Sequence, residues 1–167
     1  MLAVGDVAPE IDAHTTRGAR FVLSSQPGLC TVVYFFPKAF TPGCTRETRA
    51  FSDNYNELFL AGASIVGVST DDGKTQCEFA ESMGTPFPLV GDDEKKVSRA
   101  YGVLWPLLPL AKRVTFVVGK DRKIKAVFRA EFDIEAHKAG VLRFVHEYCD
   151  HMRASMRATW QPEEPTD

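Results

Sequence analysis

One segment concentrates the residues able to do chemistry: Pro37-Lys38-Ala39-Phe40-Thr41-Pro42-Gly43-Cys44-Thr45-Arg46-Glu47. Thr41 is a preferred residue for the start of a helix, and Pro42 suits the first helical position. Gly43 and Cys44 then fall in the first turn. Backbone N–H groups there lack intrahelical partners, and the helix dipole favours negative charge. A thiol at Cys44 is therefore expected to ionise below the roughly 8.5 of a free cysteine. Gly43 leaves the sulfur uncrowded. The Thr41 hydroxyl can accept from a backbone N–H or donate to an incoming oxygen. An activated thiolate is a nucleophile whose natural targets are peroxides and disulfides. The competing reading makes Thr-Pro-Gly a plain turn and Cys44 a small buried hydrophobe.

The other candidates are weaker. Cys30, Cys77 and Cys149 form no C-x-x-C pair with Cys44 or with each other, and no zinc-finger spacing. Cys30 precedes an apolar run, and Cys149 falls on the apolar stripe of a helix, so both read as structural. His146, Cys149 and His151 suggest a metal, but only His146 and Cys149 share a helix face. No metal or other cofactor is expected. His14 and His137 carry no recognisable context. Trp105-Pro106-Leu107-Leu108-Pro109-Leu110 is apolar for a loop: it could close over a site, meet another subunit or fold back onto the core.

The elements that must position Cys44 follow from pattern. The chain has 167 residues, enough for one domain, with 44% hydrophobic and 25% charged residues. Twenty basic and 22 acidic residues leave a net charge of -2, which excludes an electrostatic footprint for nucleic acid. Apolar runs such as Thr31–Pro37 and Leu104–Ala111 are too short to span a bilayer. Residues 1–6 carry no signal-peptide pattern, so a cytoplasmic location with reduced thiols is expected.

Thr31–Phe36 is a β-branched and aromatic run, expected as a central strand buried on both faces. A helix from about Thr41 carries Phe51, Tyr55, Leu58 and Phe59 at helical spacing and ends at Gly62. Ser64–Ser69 is a second core strand, Lys74–Met83 a helix, Leu89-Val90 a brief strand and Glu94–Tyr101 a short helix. Arg113–Val118 and Ile124–Ala130 form an antiparallel hairpin, and Glu135–Met152 a last helix. The order argues for an α/β, three-layer sandwich of thioredoxin-like type. It has a mixed central sheet and a turn-rich N-terminal extension in which Phe21-Val22-Leu23 looks strand-like. Residues 1–152 make the domain, and residues 153–167 a polar C-terminal tail ending in Pro162-Glu163-Glu164-Pro165.

The Cys44 segment resembles the active-site motif of peroxiredoxins, in particular the bacterioferritin-comigratory or peroxiredoxin Q subfamily. Pro37, Thr41, Pro42, Gly43, Cys44, Thr45 and Glu47 stand in register with it. The resemblance extends over about residues 3 to 150. It includes Gly5-Asp6-Val7-Ala8-Pro9, Gly67-Val68-Ser69, Phe87-Pro88-Leu89-Val90-Gly91-Asp92, Tyr101-Gly102-Val103 and Arg113–Val118. It implies a thiol-dependent peroxidase that reduces hydrogen peroxide and organic hydroperoxides through a cysteine sulfenic acid. Cys44 would be the peroxidatic residue, Thr41 would hydrogen-bond the peroxide and Pro37 would shield the pocket. Arg113 would stabilise the thiolate and the charge on the leaving oxygen. Glu47 would fix Arg113 or the first helical turn. The implied partners are the hydroperoxide and thioredoxin or another thiol reductant, with the protein a monomer or weak homodimer.

Two departures bear on the cycle. Many relatives carry a resolving cysteine five residues after the peroxidatic one, where this chain has Arg49. Others carry it on the next helix, where Cys77 falls 33 residues after Cys44, about one helical turn early. A turn is about 5.4 Å, and a disulfide spans Cα separations up to about 7 Å. Cys77 is thus a candidate resolving residue beside a one-cysteine cycle completed by an external thiol. Two other functions share the fold: a thiol–disulfide oxidoreductase, against which the missing C-x-x-C argues, and a non-enzymatic redox sensor.

Overall fold

The computed structural model describes residues 1–129 and 133–160. Its centre is β3, Cys30–Phe35, whose six residues are all buried. Beside it run β4 (Ala63–Ser69) in parallel and β6 (Val114–Gly119) antiparallel. Outside these lie β5 (Leu89–Gly91), parallel to β4, and β7 (Ile124–Arg129), antiparallel to β6. The sheet is mixed, in the order β5-β4-β3-β6-β7. A separate ribbon of β1 (Asp12–His14) and β2 (Arg20–Val22), followed by a single 3-10 turn at Leu23–Ser25, makes the N-terminal extension.

Alternation along β3 divides the core. Cys30, Val32 and Tyr34 face one side, with Cys44, Phe51, Phe79, Val141, Val145 and Cys149. These partners come from α1 (Pro42–Asp53), α3 (Gly73–Met83) and α5 (Ile134–Thr159), and α2 (Tyr55–Ala61) adds Leu58. Val33 and Phe35 face the other side, covered by Ala8, Ile11, Phe21 and Leu23 of the extension and by Tyr101 and Val103. Val97 of α4 (Lys96–Ala100) packs there too. Helices, sheet and covering segment make the three layers expected of the pattern.

Three local expectations are corrected. The helix expected to run from Thr41 to Gly62 is two, broken at Asn54, whose side-chain amide donates to the Ala50 carbonyl at 2.8 Å. An asparagine that hydrogen-bonds local backbone interrupts the helical ladder. The short helix expected from Glu94 starts at Lys96, because the Asp92 carboxylate accepts from Val97 N and Ser98 N at 3.2 and 2.7 Å. The last helix passes Met152 and runs to Thr159, with Asp133 capping its start through Ala136 N at 2.9 Å. Residues 154–160 are exposed all the same. Arg153 ties this stretch to the body by donating to the Leu60 carbonyl at 3.1 Å. The Pro162–Pro165 stretch lies outside the described residues, and so does Ala130.

The apolar hairpin around Trp105 does not fold back onto the core. Trp105 N donates to the Leu110 carbonyl at 3.0 Å, Lys112 stacks over the indole at 5.2 Å, and Thr70 Oγ1 donates to the Pro109 carbonyl at 2.8 Å. Leu107 stands 95% exposed at its tip. Among the described residues no helix is long and apolar enough to cross a membrane.

Candidate active site

Where β3 ends, the chain makes a tight turn before α1. Phe40 sits there with φ of 66°, a left-handed conformation that costs a non-glycine residue of order 1–3 kcal/mol. Two contacts hold it. The Asp71 carboxylate accepts from Ala39 N at 2.7 Å and from Ser69 Oγ at 2.6 Å. The Phe40 ring meets Phe79 edge-on at 5.2 Å. Thr41 does occupy the N-cap with extended backbone, and Pro42 the first turn. Its hydroxyl, however, donates to the Lys38 carbonyl at 2.7 Å and caps no helix N–H. It closes the preceding turn instead. Pro37 is half-buried at the end of the strand.

Sheet register explains how Arg113 reaches this turn. Phe35 pairs with Val114, so the residue just before β6 lies at the carboxyl end of β3. Arg113 Nη2 donates to Cys44 Sγ at 3.4 Å, and Nη1 faces Glu47 Oε1 at 3.3 Å. Glu47 follows Cys44 by three residues on α1, hence on the same helix face. The guanidinium is 6% exposed, and Cys44 shows no exposed surface. Gly43 completes the fit: a Cβ there would lie 2.9 Å from Arg113 Nη2 and 3.7 Å from Ile134 Cδ1. The glycine makes room for the cation rather than for the sulfur.

A second layer of polar contacts was not legible in the sequence. His137, on α5, lies with Nε2 at 2.6 Å from Thr115 Oγ1 and 3.9 Å from Glu47 Oε2. Tyr34 Oη and Thr48 Oγ1 meet at 3.1 Å. His137 had no neighbouring motif to mark it, and Thr115 reads only as an alternating strand residue. Their common feature, a polar type inside an apolar run, is a faint signal of a buried network.

Electrostatics follow from this crowding. Burial works against the charge of Arg113, but Glu47 and Cys44 outweigh it and hold its pKa above the ordinary value. His137 is pushed down to about 4, by burial first and by Arg113 second. It is a neutral imidazole at physiological pH. Burial also raises Tyr34 well above a free phenol, against the Thr48 hydrogen bond and helped by Glu47 and Cys44. The guanidinium is thus the cation closest to a sulfur in the first turn of a helix. A fixed cation beside the first turn of a helix is an arrangement able to stabilise negative charge.

The remaining candidates disperse. Cys77 is exposed on α3, about 200° around the helix from the inward-facing Phe79. It lines clefts with Thr16 and the opposite end of the extension, not with Cys44. His146 pairs with Glu57 at 2.7 Å, Cys149 touches Cys30, and His151 is exposed, so the three part ways.

Comparison with known proteins gives the family. The AhpC/TSA family pattern matches residues 4–127. The chain belongs to that family. Peroxiredoxin Bcp of Escherichia coli K12 is 33% identical over 153 residues, covering 88% of this chain and 97% of its own length. The chloroplast peroxiredoxin Q of Gentiana triflora is 33% identical over 142 residues, 84% of this chain. This chain spans 65% of the length of that protein and of its rice relatives. The crystal structure of peroxidoxin BcpB from Mycobacterium tuberculosis superposes with a TM-score of 0.81 at 35% identity, over 88% of this peroxiredoxin and 98% of its own chain. The bacterioferritin comigratory protein of Xanthomonas campestris, studied for alkyl peroxide reduction, matches with a TM-score of 0.75 at 28% identity over 83% and 92% of the two chains.

Proposed function

We propose that this peroxiredoxin is a thiol-dependent peroxidase acting on hydrogen peroxide and organic hydroperoxides. The observation that carries the reading is the buried guanidinium of Arg113 donating to Cys44 Sγ at 3.4 Å in the first turn of α1. In the reaction, the Cys44 thiolate attacks the terminal peroxide oxygen and the O–O bond breaks. Water or an alcohol leaves after taking a proton, and the sulfur becomes a sulfenic acid. Arg113 stabilises the thiolate and then the leaving oxygen, and Glu47 fixes the guanidinium from its other side. Thr41 and Pro37 shape the approach, with the Thr41 hydroxyl turning from Lys38 to the incoming oxygen. A sulfur with no exposed surface favours a small oxidant over a protein disulfide, which speaks against a disulfide oxidoreductase.

An external thiol, thioredoxin or a comparable reductant, completes the cycle in this reading, because Cys77 faces away from the Cys44 turn. The polypeptide acts as a monomer or weak homodimer, with residues 1–152 as the catalytic domain. Four free thiols suit a reducing compartment such as the cytoplasm.

The test is peroxide consumption by reduced protein with a thiol donor. Wild type turns over repeatedly and Cys44→Ser is inert. Full activity in Cys44→Ser, or a single stoichiometric oxidation whatever reductant is offered, overturns the assignment. Mass mapping after one equivalent of peroxide decides the cycle: Cys44 is found as sulfenic or sulfinic acid with Cys77 free. A Cys44–Cys77 disulfide would restore Cys77 as the resolving residue.

A further inference from the structure

Cys30 and Cys149 are 119 residues apart in sequence, yet their sulfurs meet at 3.9 Å inside the core. Cys30 opens β3, and Cys149 lies on the buried stripe of α5. Both thiols are free and buried. They stand at the opposite end of β3 from Cys44, a strand of six residues or roughly 20 Å away. Neither can exchange directly with a sulfenic acid on Cys44 across that distance.

Two further features suit the pair to redox chemistry. The sulfurs share one hydrogen bond, and their surroundings differ. The contact with Cys30 holds the Cys149 thiol below its ordinary range, and Arg153 and His146 add to this against burial and Asp150. The same contact, with burial, raises Cys30 far above a free thiol. Either sulfur can be the donor in this contact, so either can serve as the nucleophile.

We propose that Cys30 and Cys149 form a second redox site, separate from Cys44, in which hydrogen peroxide converts the dithiol to an intramolecular disulfide tying the last helix to the start of the central strand. One of the two sulfurs, as its thiolate, attacks one peroxide oxygen; the O–O bond breaks and hydroxide leaves, taking a proton to become water. The other thiol then gives up its proton and attacks the sulfenic sulfur. The S–O bond breaks, and the departing hydroxide takes that proton as a second water. Two thiols and one peroxide give one disulfide and two waters, each sulfur losing one electron. From contact to a bond of about 2.05 Å the sulfurs close by about 1.9 Å, within the reach of side-chain rotation and small shifts of α5. Because the ring closed would enclose most of the chain, the disulfide restricts the unfolded state strongly.

The site does not depend on the peroxidase reading, and its test removes the other two thiols. Full-length protein carrying Cys44→Ser and Cys77→Ser is reduced, freed of reductant and treated with hydrogen peroxide. The expected product has lost two hydrogens, yields a cross-linked Cys30–Cys149 peptide and resists alkylation under denaturing conditions until dithiothreitol is added. Its Tm rises by more than about 5 °C over the reduced form. Adding Cys149→Ala abolishes the cross-link and leaves Cys30 open to alkylation. Complete alkylation of both thiols after peroxide, or a sulfinic acid on either, overturns the proposal, as does a mass loss that survives Cys149→Ala. Wild-type turnover is measured separately, so an inactive Cys44 would leave this result intact.

Discussion

Two cysteines stand at the two ends of β3, and the ends surround sulfur differently. At the carboxyl end Cys44 meets a buried cation, a carboxylate and a helix start. At the amino end Cys30 meets another thiol among apolar side chains, with no charged group in hydrogen-bonding contact with either sulfur. Both sulfurs are buried, so burial does not tell the two ends apart. The neighbours do: a buried guanidinium donates to the sulfur at one end, and two thiols meet at the other.

Removing the cation breaks the comparison most directly. Arg113→Ala strips Cys44 of its charged donor and takes from Glu47 its guanidinium. The loss of kcat/KM for peroxide is expected at roughly 10²–10³, the scale of one preorganised donor. Arg113→Lys recovers little of it, because a point charge cannot serve Cys44 and Glu47 through one rigid fork. Steady-state kinetics with peroxide would show it, and an unchanged kcat/KM in Arg113→Ala would refute the role.

Gly43→Ala sharpens the comparison by moving the cation without deleting it. The new Cβ would stand 2.9 Å from Nη2, so the guanidinium must retreat. About a tenfold fall in kcat/KM is expected, with the disulfide chemistry at Cys30 untouched. Equal effects on both ends of β3 would mean a general loss of packing.

The smallest effect concerns stability. His137 is depressed to about 4 in the folded protein, below the 6.5 of an unfolded chain. Between those values the unfolded state binds more protons. The stability from the neutral imidazole is therefore complete above about pH 6.5 and is lost as pH falls towards 4. The full shift corresponds to a few kcal/mol, roughly 3 at most. Urea denaturation midpoints should fall across that window in wild type and stay flatter in His137→Gln. Parallel slopes in the two proteins would rule the linkage out.

Much of the fold could be read from the chain. The all-apolar run of β3 required cover on both faces, and the polar turn between β6 and β7 placed that hairpin within a residue or two. The misses have a common cause. Asn54 broke a helix, Asp92 delayed another, and the last helix outran its apolar stripe, each through one side chain bonding to backbone or a neighbour. At the site, Cys44 and its helix start were legible because they are contiguous. Thr41 took the N-cap position, yet its hydroxyl turned to Lys38, a choice set by the Phe40 turn.

What the sequence determined by itself was a cysteine in a helix's first turn behind a buried strand, because local backbone chemistry depends on adjacent residues. What only the tertiary structure decided was the company each sulfur keeps. Arg113 reaches Cys44 through the pairing of Phe35 with Val114, His137 reaches Glu47 because α5 packs over α1, and Cys149 reaches Cys30 across 119 residues. Sheet register and helix packing bring such groups together, and no local pattern encodes contacts made by elements so far apart along the chain.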